Sequence, residues 1–167
     1  MPNLFMVLLG GKHPRAKIEV HDLVFATGET LQDTYNQLRE QWFGLSKGLH
    51  IDAWMRVEGL EGYQIHLSPT APAAGELRLY AINLGGYVPE EFGEAHTYGL
   101  VVAENAFEAK QKAKRQLIHN WYKPHTDAVI DVDDCLPVDF VNGSHVHLVE
   151  GEHPALNFEN DYIVIGQ

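Results

Sequence analysis

The chain has 167 residues, 45% of them hydrophobic and 21% charged, enough to bury a good core as one domain or as two packed halves. Its formal net charge of −11 argues against a nucleic-acid partner, because phosphates are repelled unless a clustered basic face faces them. Cys135 is the single cysteine, so an intrachain disulfide is excluded, and no apolar run reaches the roughly 18 residues of a membrane span.

Met1 to Leu9 carries no basic leader and no small-residue cleavage site, so it reads as a buried strand and a cytoplasmic location is expected. Leu4 to Leu9 is a continuous apolar run ended by Gly10-Gly11, the pattern of a strand covered on both faces. Ile18 to Thr27 is a second strand, with Glu19, His21, Leu23 and Phe25 on one face because side chains alternate. Thr30 with Asp33 marks a helix start, and Leu31, Tyr35, Leu38 and Trp42 form its apolar stripe up to Gly44. His50 to Val57 alternates as a strand and Tyr63 to Leu67 returns as its hairpin partner. Ser68 to Gly75 is a linker.

The same order then recurs. Leu84-Gly85-Gly86 repeats Leu9-Gly10-Gly11 at an offset of 75, and Glu94 with His96 repeats Glu19 with His21. Asn105 and Glu108 replace Thr30 and Asp33 at the second helix start, whose stripe is Ala106, Ala109, Ala113 and Leu117. At the same offset His125 and Asp127 match His50 and Asp52. A six-residue insertion near Leu136 to Asn142 then brings His147 onto His66. Asp161 to Gly166 adds a closing strand. The expected fold is α+β: a tandem duplication of a ββαββ (or shifted βαβββ) unit with pseudo-two-fold symmetry, its two helices on one side of mainly antiparallel sheet. The expected boundaries are 1–75, 76–150 and a closing strand in 151–167, all within one compact unit.

The repeated polar residues are Glu19, His21, His50, Asp52 and His66, then Glu94, His96, His125, Asp127 and His147. Imidazole and carboxylate together suit a ligand cleft or a divalent metal, for which Glu19, His21, Glu94 and His96 are the candidates. They equally suit hydrogen bonding to loop backbone left open by the glycines. Asp131, Asp133 and Asp134 resemble the start of a calcium loop but lack its glycine and closing glutamate, and read as a solvated turn. Lys110, Lys112, Lys114 and Arg115 read as a solvated helix face, and Cys135 as a core-boundary thiol with a raised pKa beside acidic neighbours.

Leu-Gly-Gly followed by Pro14 and Glu-x-His at 9–21, Leu49-His50-Ile51-Asp52, the second Leu-Gly-Gly with Phe92-Gly93-Glu94 and His96, and Asp131 to Leu136 together resemble the bacterial domain-of-unknown-function family 1543. The resemblance implies a soluble bacterial protein and assigns no catalytic residue. Three functions fit the residues. The first is a small-ligand-binding or enzymatic cleft lined by the repeated His, Glu and Asp. The second is a divalent-metal-dependent enzyme resembling paired βαβββ metalloenzymes. The third is a non-catalytic interaction module anchored on Trp54, Trp121 and Tyr122. A small molecule is the expected partner, and a homo-oligomer is compatible with the sequence.

Overall fold

Residues 1–117 and 131–167 are described by the structure, a computed structural model. In chain order the strands and helices are β1 (Asn3–Gly11), β2 (Val20–Gly28), a 3-10 turn (Leu31–Thr34) leading into α1 (Tyr35–Gln41), β3 (His50–Val57), β4 (Gly59–Leu60) and β5 (Tyr63–Ser68). The second half gives β6 (Arg78–Tyr87), β7 (Glu94–Ala103), α2 (Ala106–Gln116), β8 (Asp131–Pro137), β9 (Phe140–Val141) and β10 (Ser144–Glu150), and the chain closes with β11 (Phe158–Val164).

Among the described residues three antiparallel sheets result. One has the order β11-β3-β1-β2 and another β7-β6-β8, while the short hairpins of both halves join as β4-β5-β10-β9. The apolar run of β1 divides by alternation. Phe5, Val7 and Leu9 pack with Leu38 and Trp42 around α1, whereas Leu4 and Met6 pack with Leu79, Ala81 and Leu100 of the facing sheet. In β6, Tyr80, Ile82 and Leu84 turn the other way, against Ala109 and Ala113 of α2. Small residues at that contact let the helix lie close to its sheet.

The expectation that both helices share one side of the sheet is therefore corrected. Each helix covers the outer face of its own sheet, and the two inner faces cover each other. The reason lies in β1 and β6, which are apolar on both faces: two helices on one side would leave the other face wet. Leu38, Trp42, Ala109 and Ala113 are buried as the stripes predicted, but Ala106 is exposed.

The strand registers also move the insertion. Gly10 stands opposite His50 across β1 and β3, and Gly85 stands opposite Asp131 across β6 and β8. Asp131 and Asp133 thus hold the places of His50 and Asp52, and the six extra residues precede β8 instead of lying at 136–142. His125 and Asp127, like Trp121 and Tyr122, lie outside the described residues.

The halves are tied together at Glu61, in the turn between β4 and β5. Its carboxylate accepts the Val102 N–H of β7 at 2.7 Å and pairs with Lys112 of α2 at 3.0 Å, while Gln116 donates to it at 3.0 Å. Burial pushes the Glu61 pKa up, but the Val102 N–H, Lys112 and Gln116 outweigh it and hold the carboxyl below its ordinary value. A depressed folded pKa gives stability that is present above the unfolded pKa and lost as pH falls through the folded one. Acid denaturation curves should accordingly show less loss of stability below about pH 4.3 in Glu61→Gln than in the parent chain. Identical acid limbs would show that this tie does not contribute.

Trp42 closes the core around α1, its indole N–H donating to the Leu45 carbonyl at 3.0 Å. Trp42→Ala should cost about 3–5 kcal/mol by leaving a large cavity, measurable by urea unfolding.

Candidate functional site

Four sequence-singled residues meet on the inner face of the first sheet. Glu19, just before β2, and His21 in it stand beside the end of β1, and His50 and Asp52 come from β3 on its other side. A bulge brings in the last of them. Leu8 pairs with Ala53 and Leu9 with Ile51, so Asp52 has no partner in β1 and is free to turn toward His50.

His50 is 3% exposed. Its Nδ1 lies 2.8 Å from the Gly48 carbonyl, which can only accept, so Nδ1 carries the proton of that bond. Its Nε2 lies 2.8 Å from Glu19 Oε1 and 3.2 Å from Asp52 Oδ1. Neither oxygen meets the ring nitrogen in hydrogen-bonding geometry, and Nε2 is a buried atom without a hydrogen bond. Asp52 Oδ2 reaches His21 Nε2 at 3.1 Å, and the ring of Tyr162 from β11 stacks on His50 at 4.3 Å.

The floor beneath these groups is Gly10. A Cβ there would lie 2.5 Å from Asp52 Oδ2, 2.7 Å from His50 Nε2 and 3.1 Å from Glu19 Oε1, so any side chain would fill the space the three converge on. Gly11, one residue on, faces the other way, and the Trp42 ring lies against it.

The second half builds a more open counterpart. His96 Nε2 is 3.3 Å from Glu94 Oε1 and its Nδ1 is 3.4 Å from Asp133 Oδ2, again above a glycine, Gly85. Asp133 is the bulged residue of β8, between the pairs Asn83–Asp134 and Leu84–Val132. It was read as part of a solvated turn; the signal that finds it is the Asp-x-Asp of 131–133 set against the His-x-Asp of 50–52. Asp131 itself turns to Lys114 at 3.0 Å, which holds its carboxyl below the ordinary value. Lys112 and Lys114 are thus paired and not merely solvated.

The remaining singled residues lie elsewhere. His66 and His147 stand opposite each other on β5 and β10, where His66 meets Gln64 at 3.0 Å and His147 meets the Thr70 carbonyl at 2.6 Å. They belong to neither cluster. Cys135 is half-buried against the core around α2; burial raises its thiol pKa and Lys110 opposes, so the rise does not come from the acidic neighbours.

Either cluster could share a proton between imidazole and carboxylate or hold a cation, since both offer one imidazole and two carboxylates within reach of one another. In the second, a hydrogen bond to Asp133 raises the Glu94 pKa above its ordinary value, with burial adding and His96 opposing. Carboxyl-carbon NMR should therefore show Glu94 titrating above the usual glutamate range, and Asp133→Asn should bring it down. An unchanged Glu94 titration in that variant would rule out the shared proton.

Comparison with known proteins agrees with the doubled architecture. The family model of Domain of Unknown Function (DUF1543) matches the chain twice, over residues 16–67 and 91–141, each match starting just past a Gly-Gly end. None of the curated proteins matches the chain. Among solved structures the chain is similar to the crystal structure of a protein Il1583 from Idiomarina loihiensis. The two are 36% identical with a TM-score of 0.77, and the similarity covers 100% of each chain. The chain belongs to the family Domain of Unknown Function (DUF1543).

Proposed function

We propose that the protein binds, and acts on, a small molecule in the cleft between its two facing sheets, with the first-half cluster behind the cleft wall and reached through His21. The supporting observation is a cavity of about 270 Å³ with Leu8, His21 and Leu23 on one side and Asn83, Tyr98 and Asp134 on the other. That is just below the roughly 300–1,000 Å³ of ligand pockets, room for a small molecule, and apolar walls with a few converging polar groups are their usual make-up. His21 links the cleft to the cluster through Asp52. We read the halves, 1–75 and 76–150, as one unit repeated about a pseudo-two-fold axis between His66 and His147, with the strand in 151–167 closing the first sheet.

The cleft's chemistry narrows the ligand. Asn83 donates its amide to Asp134 at 2.9 Å and keeps its oxygen without a partner. No Lys or Arg is among the lining residues. Such a wall favours a neutral or cationic molecule that donates hydrogen bonds, such as a small amine or alcohol, over a phosphate. The reading as an interaction module loses its described anchor, because Trp54 packs half-buried near Phe5, 6.2 Å between ring centroids.

Titration of isotopically labelled protein with a panel of small amines, alcohols and phosphates tests this. Amines or alcohols should shift the amide resonances of Leu23, Asn83 and Tyr98, and Leu23→Trp, which fills the cleft, should abolish the shifts. Shifts that persist in Leu23→Trp, or a panel with no effect at these residues, would overturn the reading.

A further inference from the structure

We infer that Glu19, His50 and Asp52 form a centre for one divalent first-row transition ion, and that the matching cluster of the second half does not. The inference deepens the cleft reading and rests on it for the access of a ligand, since His21, which lines the cleft, also meets Asp52 of the centre. Three independent features point to an ion and not to a plain ion pair.

The first is His50. A side chain 3% exposed, with its Nδ1 proton committed to the Gly48 carbonyl, presents an unpartnered Nε2 to two carboxylates. Metal-binding imidazoles are oriented this way, the distal nitrogen fixing ring and tautomer through a backbone carbonyl. The second is the space. Gly10 leaves open the volume that a single Cβ would occupy beside His50 Nε2, Glu19 Oε1 and the Asp52 carboxylate, whose Oδ2 lies nearest, so the three side chains converge on a point and not only on each other. The third is scale. Donors around a four-coordinate ion with bonds near 2.1 Å stand about 3.4 Å apart. Here they stand 2.8 and 3.2 Å apart, all within 4.8 Å, so a slight outward shift admits the ion.

The donor set names the class of ion. One imidazole with two carboxylates suits Zn²⁺, Mn²⁺, Fe²⁺ or Co²⁺, whereas Mg²⁺ and Ca²⁺ prefer oxygen alone. Three protein donors leave positions open for a ligand from the cleft. His21, beside Oδ2 of Asp52, and Tyr162, over the face of His50, are positioning residues. The second half keeps the glycine, Gly85, but lacks the buried imidazole and the stacked ring over it. Asp131 stands where His50 would and is taken by Lys114, and His96 is exposed between two exposed carboxylates.

The test uses the full chain without a His tag, stripped with a chelator and titrated with Zn²⁺ and Mn²⁺ against a chromogenic chelator, with Mg²⁺ as control. One transition ion per chain is expected. His50→Gln and Asp52→Asn should each weaken it by more than about 100-fold, the top of the range for outer-shell partners. Gly10→Ala should do the same by filling the cradle. Circular dichroism melting shows whether each variant folds, and the spectrum of Co²⁺-loaded protein reads the donor set directly in those that do. Glu94→Gln and Asp133→Asn should retain the ion. So should Leu23→Trp, which separates the two readings: loss of cleft ligands with the ion kept sinks neither. No bound ion, an ion that survives His50→Gln, or one removed by Glu94→Gln would overturn the centre while leaving the cleft reading to its own test.

Discussion

Close approach at the end of β1 sets the geometry of the first half. Leu9-Gly10-Gly11 presents one bare Cα to each face of the sheet, and each face uses it. On the outer side the Trp42 ring settles against Gly11, which brings the end of α1 down onto the sheet. On the inner side Glu19, His50 and Asp52 crowd over Gly10. A Cβ at either position would displace a helix or a cluster, so two neighbouring glycines serve packing and polar chemistry at one point of the chain.

The bulges are the second device. A regular strand cannot send both Asp52 and Ala53 to one face, because successive side chains alternate. By leaving Asp52 unpaired, β3 turns it toward His50 and His21 and still delivers Ala53 and Met55 to the apolar inner face. β8 does the same with Asp133 and Asp134: the first joins Glu94 and His96, and the second meets Asn83 in the cleft. The same distortion at corresponding places shows that the clusters are built into the backbone and do not arise from surface side chains that happen to meet.

Much of this was legible from residues alone. The strands, the helices and the choice of Glu19, His21, His50 and Asp52 as repeated polar residues followed from alternation and from repeated letters; their meeting over Gly10 did not. Helix placement was not legible, because an apolar stripe says that a face is buried but not against which sheet; the double-faced run Leu4 to Leu9 held the answer only once a second such run was set against it. The partner of the second cluster was missed for a different reason. Matching identical letters drew His125 and Asp127 onto His50 and Asp52, and hid the substitution of Asp131 for His50. Strand register, fixed by hydrogen bonding and burial, outranks letter identity wherever an insertion falls between repeats. His66 and His147 did match, but as a facing pair in the third sheet and not as site residues.

The two halves then differ where their chemistry would. In the first, β11 adds a strand beside β3, covers His50 with Tyr162 and leaves the imidazole dry. In the second, β8 has no outer neighbour among the described residues, and its cluster stays open to water. Burial strengthens every charge interaction around His50, while water weakens those around His96. In the open cluster the hydrogen bond to Asp133, burial and the Asp133 charge raise the Glu94 pKa, with His96 opposing. The closing strand is thus more than the end of a sheet. Together with the exchange of His50 for Asp131, it separates two repeated arrangements into a buried one with a directed imidazole lone pair and a solvated one.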